Sequence, residues 1–438
     1  MPAELLKRVQ QTVEVGKQAG ADDVFATLGR SRTVEFSWRD GKLEKVKDTT
    51  SRSLGVRLFV EGRYSSHTTT DLDPDRVTAF VNQALALTRA LESDRHRTIT
   101  PPALYAGRTE RDLQLLDPDV QAISRDQRLA WCRAMDAVAH SHSRVISATA
   151  VVSDVHSQEA TASSNGFSAV YATSLCWLGS QVTLRDQAQR RAEASFYAGT
   201  RHLADLPDAE QVARQALGRA VLRLGADKGP TQRTHMVVDP SAATALVSRL
   251  LSAATAHSVQ QGQSFWADLL GQQEFSHKLT LIDNPLRVRG LASRYYDTEG
   301  IAAKPFTLVE NGTVRQLYVD TYYGRKIGLP PTTISPSNQE VRLGQRGLDR
   351  IVPDVGSGVY ITSWLGGNAN PTSGDFSFGL RGHLIENGTI GRPIREMNVT
   401  GNLRQLFQNM AEIGNDPWPY SPVQAPTLVF EDVQFSGT

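Results

Sequence analysis

Residues 358–388, GVYITSWLGGNANPTSGDFSFGLRGHLIENG, constrain the fold more than any other stretch of the chain. An apolar strand-like run at Val359, Tyr360 and Ile361 leads into a Gly-Gly-Asn segment. A Ser-Gly-Asp-Phe turn then opens a second alternating run, which ends at Glu386-Asn387-Gly388. Asn-Gly favours a tight turn because both residues tolerate positive φ, so the stretch reads as consecutive strands carrying a polar, glycine-rich loop. A second copy of the turn signature lies at Val309-Glu310-Asn311-Gly312-Thr313-Val314, matching Ile385-Glu386-Asn387-Gly388-Thr389-Ile390.

The N-terminal half reads differently. Leu5, Leu6, Val9 and Val13 recur at helical spacing before Gly20. Alternating runs follow at 24–28, 33–38 and 43–47, with turn signals at Asp40-Gly41 and Glu61-Gly62. A helix over about 75–90 presents Val77, Phe80, Val81, Ala84 and Leu87. After a Pro- and Thr-rich connector at 98–118, a helix near 124–141 carries Leu129, Cys132, Met135 and Val138. Strands at 145–155, 168–177 and 181–184 surround a Ser164-Asn165-Gly166 tip, and a helix near 208–224 closes the unit. Helix, meander and helix thus occur twice, an α+β arrangement rather than a βαβ array. The domain boundary falls at Gly225–Pro230, giving an N-terminal α+β domain (1–228, with units of about 1–97 and 119–228). A β-rich C-terminal domain (229–438) follows, and most of the chain's twenty prolines lie in it.

Composition narrows the function. With 438 residues and a net charge of +1 the chain is long enough for several cores and offers no polyanion-binding surface, so no nucleic-acid partner is expected. Two cysteines do not make a disulfide framework, which fits a reducing cytoplasm. The N-terminus lacks a signal-like apolar core, and no apolar run approaches the ~20 residues of a membrane span. The expectation is a soluble cytoplasmic protein with no membrane partner.

Several motifs in order resemble the TldD/TldE (PmbA) family: Leu54-Gly55-Val56-Arg57, Ser163-Ser164-Asn165-Gly166, Asp297-Thr298-Glu299-Gly300, Gly374-Asp375-Phe376 and Gly414-Asn415-Asp416. The resemblance implies a PmbA/TldD-like fold and a two-subunit metallopeptidase acting on unfolded or small peptides. In that family the TldD type carries HExxxH on a helix and a cysteine near the C-terminus, a set able to hold a catalytic zinc. This chain has one histidine, His257, in the matching segment 253–266, followed by Ser258, and no cysteine in 414–426. The resemblance therefore narrows to the TldE (PmbA) type: no catalytic residue, metal ligand or cofactor in this chain, with zinc expected in a TldD-type partner. The other reading is a self-sufficient homodimer that binds peptides or serves as scaffold.

His257, His277 and His383 with Asp375, Asp297 and Glu299 are candidate metal ligands, against ordinary polar roles. Asp297 and Glu299 are candidate paired carboxylates, against a turn leading into Gly300. Cys132 and Cys176 read as buried thiols. Gly366, Gly367, Asn368, Asn370 and Asp375 are the candidate peptide contacts, because a loop without side chains lets an extended peptide approach closely.

Overall fold

The computed structural model describes residues 2–437. The chain opens with α1 (Pro2–Gln18), β1 (Asp23–Arg39), β2 (Lys42–Val60), β3 (Arg63–Thr69) and α2 (Pro74–Arg89). A short α3 (Pro118–Ala122) precedes α4 (Arg125–Ala139), β4 (Val145–Ser163), β5 (Ser168–Arg185), β6 (Arg191–Thr200) and α5 (Ala209–Val221). The two helix–meander–helix units share one antiparallel sheet of order β3-β2-β1-β4-β5-β6. Their first strands, β1 and β4, pair along the middle, from Phe25↔Ser163 to Arg39↔Thr149.

Strand periodicity sorts the two faces of this sheet. Val24, Ala26, Leu28, Val56 and Leu58 point to one side, where they bury Val9 and Val13 of α1 and Val81 and Leu85 of α2. Val152, Leu178 and Val182 do the same under Cys132 and Met135 of α4 and Val212 and Ala216 of α5. Arg128 of α4 is fixed there by a bidentate pair to Asp154 of β4, with N–O distances of 2.6 and 2.9 Å. Leu87, expected in the α2 core stripe, is instead 56% exposed. The buried stripe runs through Val81, Ala84, Leu85 and Thr88.

The third strand of the second unit, β6, lies outside the strands expected from the sequence. Its sequence, RAEASFYAGT, is alanine-rich and low in β-branched residues, and pairing with β5 from Cys176↔Thr200 to Arg185↔Arg191 decides its state.

Beyond Gly229 come β7 (Gln232–Val238), α6 (Pro240–Ser252), α7 (Ala256–Gln260), β8 (Leu281–Asp283), β9 (Phe306–Glu310), β10 (Thr313–Val314) and α8 (Thr321–Ile327). They are followed by β11 (Gln339–Val341), α9 (Leu348–Val355), β12 (Gly358–Ala369), β13 (Asp375–Glu386), β14 (Thr389–Asn402) and α10 (Leu403–Gln408). The chain ends through β15 (Met410–Ile413), β16 (Val423–Gln424) and β17 (Leu428–Ser436). These build a large sheet, β14-β13-β12-β7-β17-β15, and a smaller one, β10-β9-β8-β11-β16, around one core that includes Trp266, Tyr318, Phe378, Phe407 and Phe430.

Aromatic packing joins the C-terminal part to the first sheet, with the Phe167 and Tyr296 rings 4.9 Å apart. Arg201 adds a polar clamp. Its guanidinium donates to the carbonyls of Gly290 (2.7 Å) and Leu291 (2.8 Å). No helix among the described residues is long and apolar enough to cross a membrane.

Candidate functional site

The face of the first sheet turned away from its helices is polar. Thr27 and Thr161 bring their hydroxyls to 3.1 Å across β1 and β4, and Ser31 and Ser157 to 2.8 Å. Glu159 lies between these pairs, half-buried, and burial raises its carboxyl above the usual range. The hydroxyl of Tyr296 is buried without a hydrogen-bond partner among the described residues. Beyond Ser53 toward its N-terminal end, β2 has no partner on its outer side, because β3 pairs only with residues 54–60. That leaves residues 42–53 as a long exposed strand edge. The sequence signal for this surface is a set of hydroxyl residues at odd-numbered positions, among them Thr27, Ser31, Thr33 and Ser37 of β1 and Ser153, Ser157 and Thr161 of β4.

That segment is not a loop. Gly366, Gly367 and Asn368 lie within β12 and pair with Gly379, Phe378 and Ser377 of β13, next to a register shift between Trp364 and Gly366. Gly366 and Gly367 have φ of +119° and +111°. A Cβ on Gly367 would meet the Ser377 carbonyl oxygen and Phe378 Cα, so the close backbone approach is made by the chain's own neighbouring strand. Asn370 sits in the turn that follows, and Asp375 opens β13 beyond it. Asn370 Oδ1 accepts from Thr372 N at 2.9 Å. Asp375 accepts from Ser373 Oγ (2.7 Å) and Asn402 Nδ2 (3.0 Å), and these two bonds hold its carboxyl below the usual range.

The weighed metal ligands are dispersed. His257, in α7, is exposed and packs its ring 4.8 Å from that of Tyr323. His277 is exposed on the segment before β8. His383 is buried on β13, its Nε2 3.0 Å from the Leu222 carbonyl, and burial lowers its pKa. Among the described residues no three His, Cys, Asp or Glu side chains gather into a metal-binding group. As placed, His257, His277 and His383 do not together form the ligand set of a catalytic zinc.

Asp297 and Glu299 do not form a carboxylate pair site. Asp297 takes four donors: the amides of Glu299 (2.9 Å), Ile301 (3.0 Å) and Ile334 (2.8 Å) and the Thr333 hydroxyl (3.1 Å). It is the centre of a turn. Glu299 accepts from the amide and hydroxyl of Thr321, both at 2.9 Å, at the start of α8. Burial pushes the Glu299 carboxyl up to about 6. Cys132 and Cys176 are buried, and desolvation pushes both thiols up to about 12.

The chain as a whole is similar to known proteins. Residues 231–437 match the PmbA/TldA metallopeptidase C-terminal domain, residues 26–88 its domain 1 and residues 118–224 its central domain. The chain belongs to the PmbA/TldD metallopeptidase family. It is 26% identical to the metalloprotease PmbA of Escherichia coli O157:H7 over 432 residues, covering 96% of this chain and 93% of the other. A Bacteroides thetaiotaomicron protein, whose crystal structure was described as that of a candidate modulator of DNA gyrase, superposes with a TM-score of 0.94 at 31% identity. The match covers 99% of this chain and 98% of that one. TldE from Thermococcus kodakarensis shares the fold, with a TM-score of 0.87 at 18% identity over 98% of this chain and 100% of the other.

Proposed function

We propose that this chain is the TldE-type, non-catalytic subunit of a two-subunit metallopeptidase, with residues 1–228 and 229–438 as its two domains. A TldD-type partner supplies the zinc, and the pair acts in the cytoplasm on unfolded or small peptides. One observation carries the reading. The segment matching the metal-binding helix of that partner type holds a single histidine, His257, which is exposed and packed on Tyr323. A catalytic zinc needs three protein ligands. In the pair, this chain contributes walls and a strand edge. The open edge of β2 and the hydroxyl-lined face beside it suit main-chain hydrogen bonding to an extended peptide, which is sequence-tolerant.

The test is reconstitution. Mixed with an HExxxH-bearing TldD-type relative, the chain should raise peptidase activity to a plateau at equal stoichiometry. Metal analysis should find zinc on the partner alone. About one tightly held zinc on this chain, lost in His257→Ala, would refute the assignment.

A further inference from the structure

The lining of the crevice between β6 and β12 carries more positive than negative charge. Arg219 of α5, Arg223 just beyond it and Arg381 of β13 line one polar cavity of about 340 Å³ with Glu193, Ser195 and Ser363. Three guanidinium groups face a single carboxylate, so the crevice carries a surplus of two positive charges.

The three arginines are held differently. Arg223 donates to the Glu193 carbonyl and, at 3.0 Å, to Ser363 Oγ. Arg219 lies 5.1 Å from the centre of the Phe196 ring and 5.4 Å from that of Trp418. Arg381 pairs at the backbone with Ser363, beside the register shift in β12, and its guanidinium has no hydrogen bond or ion pair among the described residues. The Glu193 carboxylate is itself engaged by Gln181 Nε2 at 2.8 Å. Desolvation and the neighbouring Arg381 and Arg219 lower the Arg223 pKa to about 10. Like charges are being kept together in a partly dry place, at a cost that a bound anion removes.

We propose that this crevice is a binding site for an oxyanion, the phosphate group or terminal carboxylate of a small polar ligand. Guanidinium forks match such groups with paired, charge-assisted hydrogen bonds. Ser363 accepts from Arg223 and keeps its own proton to donate, and Ser195 also lines the cavity. The cavity has room for more than a lone ion, so it can take the anionic end of a larger molecule. The site does not depend on the peptidase reading.

Arg381→Gln tests it, because Arg381 is the arginine with no structural bond to lose. Inorganic phosphate is titrated calorimetrically into the full chain in low-chloride buffer, with the exposed Arg350→Gln as control. Wild type and Arg350→Gln should bind one phosphate. Arg381→Gln should bind at least about tenfold more weakly, the loss of one charge-assisted bond. Without phosphate, Arg381→Gln should melt at or above the wild-type temperature, because a repulsion has been removed.

A short peptide with a free C-terminus and its amidated form provide the second arm. Displacement of phosphate by the free-acid peptide alone identifies a terminal carboxylate as the ligand's anion. Displacement by neither identifies a phosphate compound. Absence of saturable phosphate binding, or equal binding by wild type and Arg381→Gln, overturns the proposal.

Discussion

A Cβ placed on Gly367 would lie 2.1 Å from the carbonyl oxygen of Ser377 on the adjoining strand, whereas one on Gly366 would meet nothing within 4 Å. The two neighbouring glycines therefore serve different needs. Gly366 supplies only a positive φ, while Gly367 supplies that and room for β13. Gly367→Ala should destabilise the chain by more than Gly366→Ala, for which the backbone conformation alone costs about 1–2 kcal/mol. Chemical denaturation of both variants measures the difference. Equal losses would mean that β13 is not where the contact places it.

The Arg128–Asp154 pair gives a second prediction. Both side chains are under 10% exposed, at 6% and 8%. Removing Asp154 leaves a buried guanidinium without its partner, so Asp154→Ala should cost about 3–5 kcal/mol. Restoring an apolar pair with Arg128→Met in the same chain should recover part of that loss, as the same unfolding assay would show.

Glu299 predicts a pH dependence. Its folded carboxyl titrates at about 6, against the ordinary 4.5, so between these values the folded chain holds a proton that the unfolded chain has released. The contribution is present in full below pH 4.5 and is lost as pH rises through 6. The loss comes to about 2 kcal/mol. His383, lowered by burial, shifts stability in the opposite sense, falling as pH drops below the ordinary histidine value. It is common to wild type and Glu299→Gln and cancels in their difference. That difference should change by about 1.5 kcal/mol between pH 4.5 and 6.5; a flat profile would contradict the burial of Glu299.

Cys132 and Cys176 should resist alkylation at pH 8 in the native chain, since little thiolate forms when the thiol titrates near 12. Both should label once the chain is unfolded. Mass spectrometry after iodoacetamide treatment reads this directly.

Much of the fold was legible because turn chemistry is local. Asp40-Gly41, Glu61-Gly62, Asn311-Gly312 and Asn387-Gly388 all adopt positive φ at both positions, and each joins two antiparallel strands. What was not legible depends on distant partners. Gly366 and Gly367 read as a loop because glycine carries no β-propensity, and only pairing with β13 makes that segment a strand. The Asp297 turn needed Thr333 and Ile334, from another segment, to show that both oxygens were occupied. The arginines of the β6–β12 crevice are dispersed along the sequence from 219 to 381, so no local motif announces them.

The most direct measurement of the central claim is peptidase activity of the purified chain alone and on titration with its HExxxH-bearing counterpart. The account predicts no cleavage of an unstructured peptide by this chain alone and a rate that saturates at one-to-one stoichiometry. Metal-dependent cleavage by this chain without a partner would contradict it.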